Sequence, residues 1–372
     1  MDNMLPELFK ELKQLDTLKM IRTRLNPTEN AFIYLGCLKE LHFVGIKIPE
    51  QCSNIMAPLK SLEKLVIGKT YTFNYDSFRQ VNNNLRELKL HDILTIEIDK
   101  NFFDRHRNLE SLDLLALNSS RLNDKYCIDL KALTDLTALK SLNLSDNNLN
   151  LDQKACETIF SLENLEILDL SLTRIVEDRN KFTEREIKFN ETTFERMTNL
   201  KHLNLSGNRI KLEGNCFRHL SQLRELDLAH TILDSDNNYY DILSSLKHLE
   251  TLELFRIELN GSFKLIGLSE LVELKMIQFR VTEHDLEQYS EMLRSKRRPT
   301  GEAEEPPIPN PTYDDLCYFI VRDMTKLTTL SLIDCHLTYI NKEIVSQMKD
   351  LSILNIAQNN IQHIPDDTFD CL

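Results

Sequence analysis

The chain has 372 residues, of which 45 are Lys or Arg and 58 are Asp or Glu, giving a formal net charge of −13. This acidic balance argues against nonspecific binding to nucleic acid or anionic membranes as the main activity. Only 8 residues are Gly, which disfavours Gly-rich phosphate loops, and no stretch approaches the roughly 18 consecutive apolar residues of a membrane span. We therefore expect no direct membrane insertion within this segment.

No motif in the chain has the composition of a catalytic or metal site. Gly68-Lys69-Thr70 resembles the end of a phosphate loop, but Glu63 stands where such a loop requires Gly. The eight cysteines are scattered and include no C-x-x-C pair, so they do not indicate a zinc site. The sequence predicts no enzyme, no cofactor and no small-molecule substrate.

One repeated pattern organises the chain from end to end. It has the form L-x-x-L-x-L-x-x-N-x-L, and a clear copy is LKSLNLSDNNL, which begins at Leu139. Thirteen copies begin, in chain order, at Leu15, Leu38, Leu62, Leu85, Leu109, Leu139, Leu165, Leu200, Leu223, Leu249, Leu271, Leu327 and Leu351. On these repeats the chain is identified as a member of the leucine-rich repeat superfamily.

The alternation within L-x-L predicts one short β-strand in each copy, with leucines pointing into a core and the residues between them facing solvent. A return segment follows each strand, with an apolar anchor six residues before the next copy. The anchors that we identify are Phe103, Phe194, Phe217, Leu243 and Val345. A single repeat cannot bury its apolar face, so neighbouring repeats must stack. The predicted fold class is α/β: a horseshoe-shaped leucine-rich repeat solenoid with a parallel β-sheet on the concave face and an irregular or helical convex side.

The Asn of the pattern should donate hydrogen bonds to backbone carbonyls at the turn after each strand, where a buried carbonyl without a partner costs about 1–3 kcal/mol. Asn147, Asn208 and Asn359 occupy this position. Five other side chains could substitute with one donor each: Thr23, Thr70, Thr173, Thr231 and Cys335. The apolar residues at this position cannot donate, so the ladder there must be irregular or hydrated; they are Ile46, Ile93, Ile257 and Phe279.

The domain prediction is a single solenoid over residues 1–372, with about 13 repeats and no cap at either end. Because the chain opens and closes within a repeat, we interpret it as a fragment of a longer protein. Two interruptions are predicted: a charged insertion at 176–190 and an inserted loop at 282–316, partly disordered. The first part of the loop, 283–296, could form a short helix.

Two kinds of modification site follow from short motifs. Possible N-glycosylation sequons lie at Asn118, Asn143, Asn190, Asn204 and Asn260, a number close to chance, and Asn190 in the charged insertion is the most credible acceptor. Arg294, Lys296 and Arg297 match the dibasic pattern of secretory processing proteases. The alternative for the basic residues is an exposed basic patch beside an acidic one.

The solvent-facing column between the two leucines of L-x-L is the predicted binding surface, because a solenoid presents an extended, rigid face. The predicted binding residues are Asp113, Asn143, Asp169, Asn204, Asp227, Glu253 and Lys275. Beside this column Phe255, Ile277 and Ile333 form a predicted apolar contact patch. The alternative is that the charges only solvate the sheet and that the inserted loop covers the apolar residues.

The repeats, mostly near 24 residues, irregular and carrying a Phe anchor, resemble the ectodomain of a Toll-like receptor, and the Pro-rich dibasic insertion is similar in kind to a cleavable loop in that family. The resemblance implies a role in innate immunity, signalling or adhesion, a protein partner or ligand on the concave or lateral face, a possible homodimer, and an extracellular or membrane-attached location. The alternative is a cytosolic leucine-rich repeat scaffold or substrate adaptor. Glycans and disulfide bridges would distinguish the two.

Overall fold

The computed structural model describes residues 3–24, 26–72, 74–117, 128–147, 149, 153–173, 176–178, 181–184, 187–234, 242–255, 268–278, 287, 290 and 312–370. The chain divides into two compact units, Met1–Arg185 (unit 1) and Glu186–Leu372 (unit 2). Each unit is a stack of repeats with a parallel sheet, as the pattern predicts.

Unit 1 is built around a parallel sheet to which each of its seven copies contributes one strand. In chain order these are β2 (Thr17–Ile21), β4 (Glu40–Val44), β5 (Lys64–Thr72), β6 (Glu87–Thr95), β7 (Ser111–Asp113), β8 (Ser141–Asn143) and β9 (Ile167–Asp169). The remaining described strands form two small pairs, β1 (Asn3–Met4) with β3 (Asn26–Pro27), and β10 (Val176–Asp178) with β11 (Lys181–Glu184). Its described helical segments are α1 (Tyr75–Arg79), α2 (Gln153–Phe160) and the short 3₁₀ helices Pro6–Phe9, Glu50–Cys52 and Leu130–Leu133.

Unit 2 contains two parallel sheets. The larger takes one strand from each of its six copies: β13 (His202–Asn204), β15 (Glu225–Asp227), β17 (Thr251–Phe255), β18 (Glu273–Ile277), β19 (Thr329–Ile333) and β20 (Ile353–Asn355). The smaller, which the sequence did not predict, consists of β12 (Ile187–Phe189), β14 (Arg209–Leu212) and β16 (Ile232–Asp234). The described helices are α3 (Tyr313–Val321) and α4 (Lys342–Val345).

All thirteen predicted strands are present, and each begins two residues after the first leucine of its copy. The leucines of the pattern are buried in the inner copies, as Leu65, Leu142 and Leu226 show, because every strand turns alternate side chains inward, and they are half-buried in the first and last copies. The five predicted anchors are also buried, none more than 3% exposed. Phe194 and Phe217 pack directly against each other in successive repeats, with ring centroids 5.7 Å apart. The core of each unit therefore lies between its sheet and its anchors.

The predicted asparagine ladder is confirmed at all three positions. The side-chain amide of Asn147 donates to the carbonyls of Leu114 (2.6 Å) and Leu144 (2.8 Å), and its oxygen accepts the N–H of Leu117 (2.9 Å). Asn208 and Asn359 donate to carbonyls in the same way. Each of these side chains therefore satisfies backbone groups that the turn leaves without strand partners.

The single-donor substitutes give a mixed result. Thr173, Thr231 and Cys335 each donate to a carbonyl at the turn, as predicted. The prediction for Thr23 is wrong, since its buried Oγ1 has no hydrogen-bond partner among the described residues. In the repeat of Thr23, strand β2 continues to Ile21 and pairs with β4. The carbonyl equivalent to those that accept from Thr173 and Thr231 therefore lies inside a paired strand in this repeat.

In two copies that lack the Asn and have long strands, hydrogen bonds between the backbones replace those that the Asn side chain donates elsewhere. Strands β5 and β6 extend to nine residues each, and their register continues to the pairs Thr70 with Ile93 and Thr72 with Thr95. This main-chain pairing explains how Ile93, fully buried and without a donor, is accommodated.

The described parts of the two predicted interruptions contain regular structure. Within 176–190, strands β10 and β11 form an antiparallel pair and β12 opens the smaller sheet of unit 2. Helix α3 begins inside the predicted 282–316 loop, where Thr312 and Asp315 form a reciprocal capping box. Of the helix predicted at 283–296, only Glu287 and Ser290 lie among the described residues, and both are helical. No described helix is long and apolar enough to cross a membrane.

Candidate binding face

The solvent-facing side of each main sheet is termed the ladder face, and the residue between the two leucines of each L-x-L is termed the central residue. Strand register places the central residues of each unit side by side, as predicted. In unit 1 they are Lys19, His42, Val66, Lys89, Asp113, Asn143 and Asp169. In unit 2 they are Asn204, Asp227, Glu253, Lys275, Ser331 and Asn355.

The central Asp and Asn residues also have a structural role that the sequence reading missed. Each accepts, through Oδ1, the backbone N–H two residues further on, as in Asn143 to Ser145 (2.9 Å) and Asp227 to Ala229 (2.8 Å). The same bond is made by Asp113, Asp169, Asn204 and Asn355. This Asx turn diverts the backbone out of the strand.

Strand length follows this side-chain bond. The six strands with a central Asp or Asn are three residues long, whereas the seven with another central residue have five or nine. The ladder face is thus narrow where it carries Asx residues and wide at β2, at β4–β6 and at β17–β19.

The wide part of the ladder face in unit 1 carries a chain of ion pairs. Lys64 lies between Glu40 (3.4 Å) and Glu87 (3.0 Å), while His42 contacts Glu40 (2.6 Å) and Lys89 contacts Glu87 (3.3 Å). The hydrogen bond from His42 lowers the pKa of Glu40, and the hydrogen bond to Glu87 raises the pKa of Lys64. These charges largely compensate one another.

At the end of this network burial raises the pKa of Asp113. The half-buried carboxyl also faces Lys89 and His91, which favour its charged form. Desolvation therefore outweighs these favourable charges at Asp113.

The wide part of the ladder face in unit 2 is more acidic. Lys275 lies 2.5 Å from Glu253 and 2.9 Å from Glu273, and the hydrogen bond to Glu253 is the main cause of its raised pKa. On the neighbouring strands Glu225 contacts His202 at 2.7 Å and Asp227 makes its Asx turn. In this part of the ladder face a single lysine therefore forms ion pairs with two carboxylates.

The predicted apolar patch is assembled in unit 2. Phe255, Ile277 and Ile333 occupy equivalent positions on β17, β18 and β19, in direct register, and all three are half-buried. The imidazole of His230 packs edge to face on Phe255, with ring centroids 4.0 Å apart. An apolar ridge thus borders the acidic central column.

The predicted modification sites divide into described and undescribed positions. Asn190 is exposed and its Oδ1 accepts from the N–H and Oγ1 of Thr192, whereas Asn143 and Asn204 are half-buried in the ladder face. Asn118, Asn260 and the basic residues Arg294, Lys296 and Arg297 lie outside the described residues. Among the described cysteines, Cys37, Cys52, Cys216 and Cys317 carry free thiols.

Two further features escaped the sequence reading. The residue two places after the second leucine of L-x-L, termed the turn position, has a positive φ in twelve copies, although only Gly45 and Gly207 of these are glycines. Gly at two of these positions and Asp at three were the signal. The other feature is His106, which is 1% exposed with neither ring nitrogen hydrogen-bonded among the described residues. Most copies have Leu or Met at the position of His106, three residues before the first leucine of the copy. The sequence alone therefore shows His106 as an exception to the pattern.

No group of His, Cys, Asp and Glu in the described part of the chain has the arrangement of a metal site. The ladder face offers instead a broad surface of half-buried polar and apolar side chains, which suits contact with another macromolecule.

Comparison with known proteins identifies the repeats. The profile of the leucine rich repeat family matches residues 188–233 and 325–372, and that of the BspA type leucine rich repeat region matches residues 56–186. No curated protein sequence matches the chain.

Solved structures with the same fold come from several kinds of protein. A leucine-rich repeat protein of Leptospira interrogans is 19% identical, with a TM-score of 0.61, covering 100% of this chain and 92% of that one. An internalin (InlF) of Listeria monocytogenes is 18% identical, with a TM-score of 0.51, covering 97% and 86%. The receptor in a TLR13–ssRNA13 complex is 21% identical, with a TM-score of 0.51, covering 98% of this chain and 57% of that chain. At these identities the likeness concerns the fold alone.

Proposed function

Because the chain belongs to the leucine-rich repeat superfamily, we propose that it is a non-catalytic recognition module whose ladder face binds a protein partner. The observation that carries this proposal is the alignment of the central residues in each unit into one column, in which most side chains are polar and half-buried, beside wide, charged strands. Such a surface is rigid and partly desolvated, which lowers the cost of ordering it on binding.

The specific role that we propose is that of the extracellular part of a Toll-like or related receptor in innate immunity, signalling or adhesion. The irregular repeats near 24 residues, the Phe anchors and the dibasic insertion support this role, because they resemble that family's ectodomains. A homodimer and processing at Arg294, Lys296 and Arg297 belong to the same proposal.

A cytosolic scaffold or substrate adaptor is the second candidate. It is favoured by one observation: Cys52, Cys216 and Cys317 are buried and carry free thiols. Disulfides form in oxidising compartments, and free buried thiols are ordinary in the cytosol.

The binding proposal can be tested by site-specific photocrosslinking of the full-length chain in cells. A photoreactive phenylalanine analogue would replace Ser111 or Thr329, both half-buried on the ladder face, or Lys131 or Lys247, both exposed on return segments. We expect partner adducts from the two ladder positions and few from the two controls. Equal adducts from all four positions, or adducts from the controls alone, would refute a ladder-face function.

A further inference from the structure

The apolar ridge of unit 2 is local. At the equivalent position two residues after the central residue, the other copies of this unit have the small side chains Ser206, Ala229 and Ala357. Phe255, Ile277 and Ile333 therefore stand as three adjacent large side chains between small neighbours. At about 4.8 Å per strand the ridge is roughly 10 Å long, the length of three residues of an extended peptide.

Acidic groups border this ridge on one side. The outward side chains of β15, β17 and β18 include four carboxylates, Glu225, Asp227, Glu253 and Glu273, and one lysine, Lys275. These five groups carry a net charge of −3, and Lys275 is engaged with Glu253 and Glu273. On the strand next to Phe255, Asp227 lies beside Glu253 and Glu225 lies beside Thr251, so the carboxylate of Asp227 is the nearer of the two to that end of the ridge.

Resting on the ladder-face function proposed above, we infer that unit 2 docks a partner segment in which an apolar side chain lies beside a Lys or Arg. The apolar side chain packs on Phe255 and Ile277, and the cation reaches Asp227 on the adjacent strand β15, with Glu225 two residues further along that strand. Packing on the ridge excludes water from the adjacent ion pair, which strengthens it. An acidic partner would be repelled by the same carboxylates.

The chain itself supplies substitutions that its repeats tolerate. Asp227→Asn keeps the Oδ1 acceptor for Ala229 and places there the residue that Asn143 and Asn204 provide in equivalent positions. Ile277→Ser introduces the residue found at Ser145, Ser171 and Ser206. The controls are Asp104→Asn, at an exposed aspartate on a return segment of unit 1, and Leu115→Ser, at the equivalent repeat position in unit 1.

The test is selection of a random 12-residue phage-displayed peptide library on the immobilised full-length chain, followed by fluorescence polarisation with the enriched peptides. We expect enriched sequences to pair Lys or Arg with Leu, Ile, Phe or Val. We expect affinity to fall about fivefold or more in Ile277→Ser and about threefold in Asp227→Asn, with weakening as salt rises. The unit 1 controls should change affinity by less than twofold.

Three results would overturn the inference. Peptides that bind but lose affinity only in Leu115→Ser would place binding in unit 1, so the ladder-face function would stand and this inference would fail. Binding unaffected by all four substitutions, or no enrichment at all, would count against both. Enriched peptides without basic residues, or with acidic ones, would contradict the charge complementarity.

Discussion

The Oδ1 atom of Asp227 accepts the backbone N–H of Ala229 at 2.8 Å, and this bond ends strand β15 after three residues. The central Asp and Asn residues of five other copies make the same bond. These side chains therefore determine where the strands of the ladder face end, in addition to forming part of its surface. Alanine scanning of the column would confuse loss of the turn with loss of recognition, and Asp-to-Asn exchange avoids this.

Removing this acceptor should destabilise the repeat. We expect Asp227→Ala to cost about 1 kcal/mol of unfolding free energy, because the N–H of Ala229 loses its partner. Asp227→Asn should lie within about 0.5 kcal/mol of the wild type, since the acceptor atom is kept. Urea denaturation of the full-length chain measures both. Equal losses in the two variants would show that the charge, and not the turn bond, matters.

The turn position offers a stabilising change. Leu172 has a φ of 53° and is 46% exposed, so it bears the cost of a left-handed backbone without a buried side chain in return. Asn adopts this conformation more readily, and Leu172→Asn should raise the melting temperature, with a gain of about 0.5–1 kcal/mol.

Leu172→Ala is the control for the turn position, because it removes the exposed side chain but keeps the backbone cost. It should bring little gain. If Leu172→Ala stabilises the chain as much as Leu172→Asn, the gain in stability comes from removing the exposed leucine side chain and not from the backbone conformation.

His106 should make unit 1 sensitive to acid. Its ring packs on Phe78, with centroids 4.6 Å apart, and burial lowers the pKa of His106 to about 4, with a smaller contribution from Arg105. The unfolded chain takes up this proton near pH 6.5. Stability is therefore fully present above pH 6.5 and is lost as the pH falls towards 4, by up to about 3 kcal/mol.

His106→Leu tests this by restoring the residue that most copies have at this position. Thermal unfolding between pH 4 and 8 should show a flatter pH dependence for this variant and a higher melting temperature at every pH. His248→Leu changes an exposed histidine beside a repeat and should leave the profile unaltered. An unchanged slope in His106→Leu would mean that other groups cause the acid sensitivity.

Glycan mapping distinguishes the two proposed locations. In chain secreted from mammalian cells we expect mass spectrometry to find glycan at Asn190, which is exposed, and not at Asn143 or Asn204, whose side chains are fixed within the ladder face. Thr192→Val, which removes the Asn190 sequon, should abolish the corresponding mass shift. Secreted chain without glycan at any sequon would favour the cytosolic scaffold.

The strand positions could be predicted from sequence because the L-x-L spacing fixes which residues point inward. Leucines such as Leu65 and Leu226 are buried, so turning a strand over would expose the apolar side chains of the core. The register of Phe255, Ile277 and Ile333 followed from the same spacing. Their role in binding is not determined by that register.

Other features depend on contacts between repeats that are distant in sequence. Whether Thr23 or Thr173 can donate a hydrogen bond depends on how far the strand of its own repeat extends. The length of that strand depends on the central residue. The smaller sheet of unit 2 required β14 to lie between β12 and β16, and short segments such as Arg209–Leu212 carry no strong strand pattern of their own. The His106 environment depends on the ring of Phe78, in the preceding repeat.

Hydrogen–deuterium exchange of the full-length chain, with and without a captured partner, tests the central claim most directly. Binding to the ladder face predicts slower exchange in the strands and turns at 202–206, 225–229 and 251–255, with little change on the return segments at 193–197 and 217–220. Protection confined to the return segments, with the strands unaffected, would contradict recognition through the ladder face.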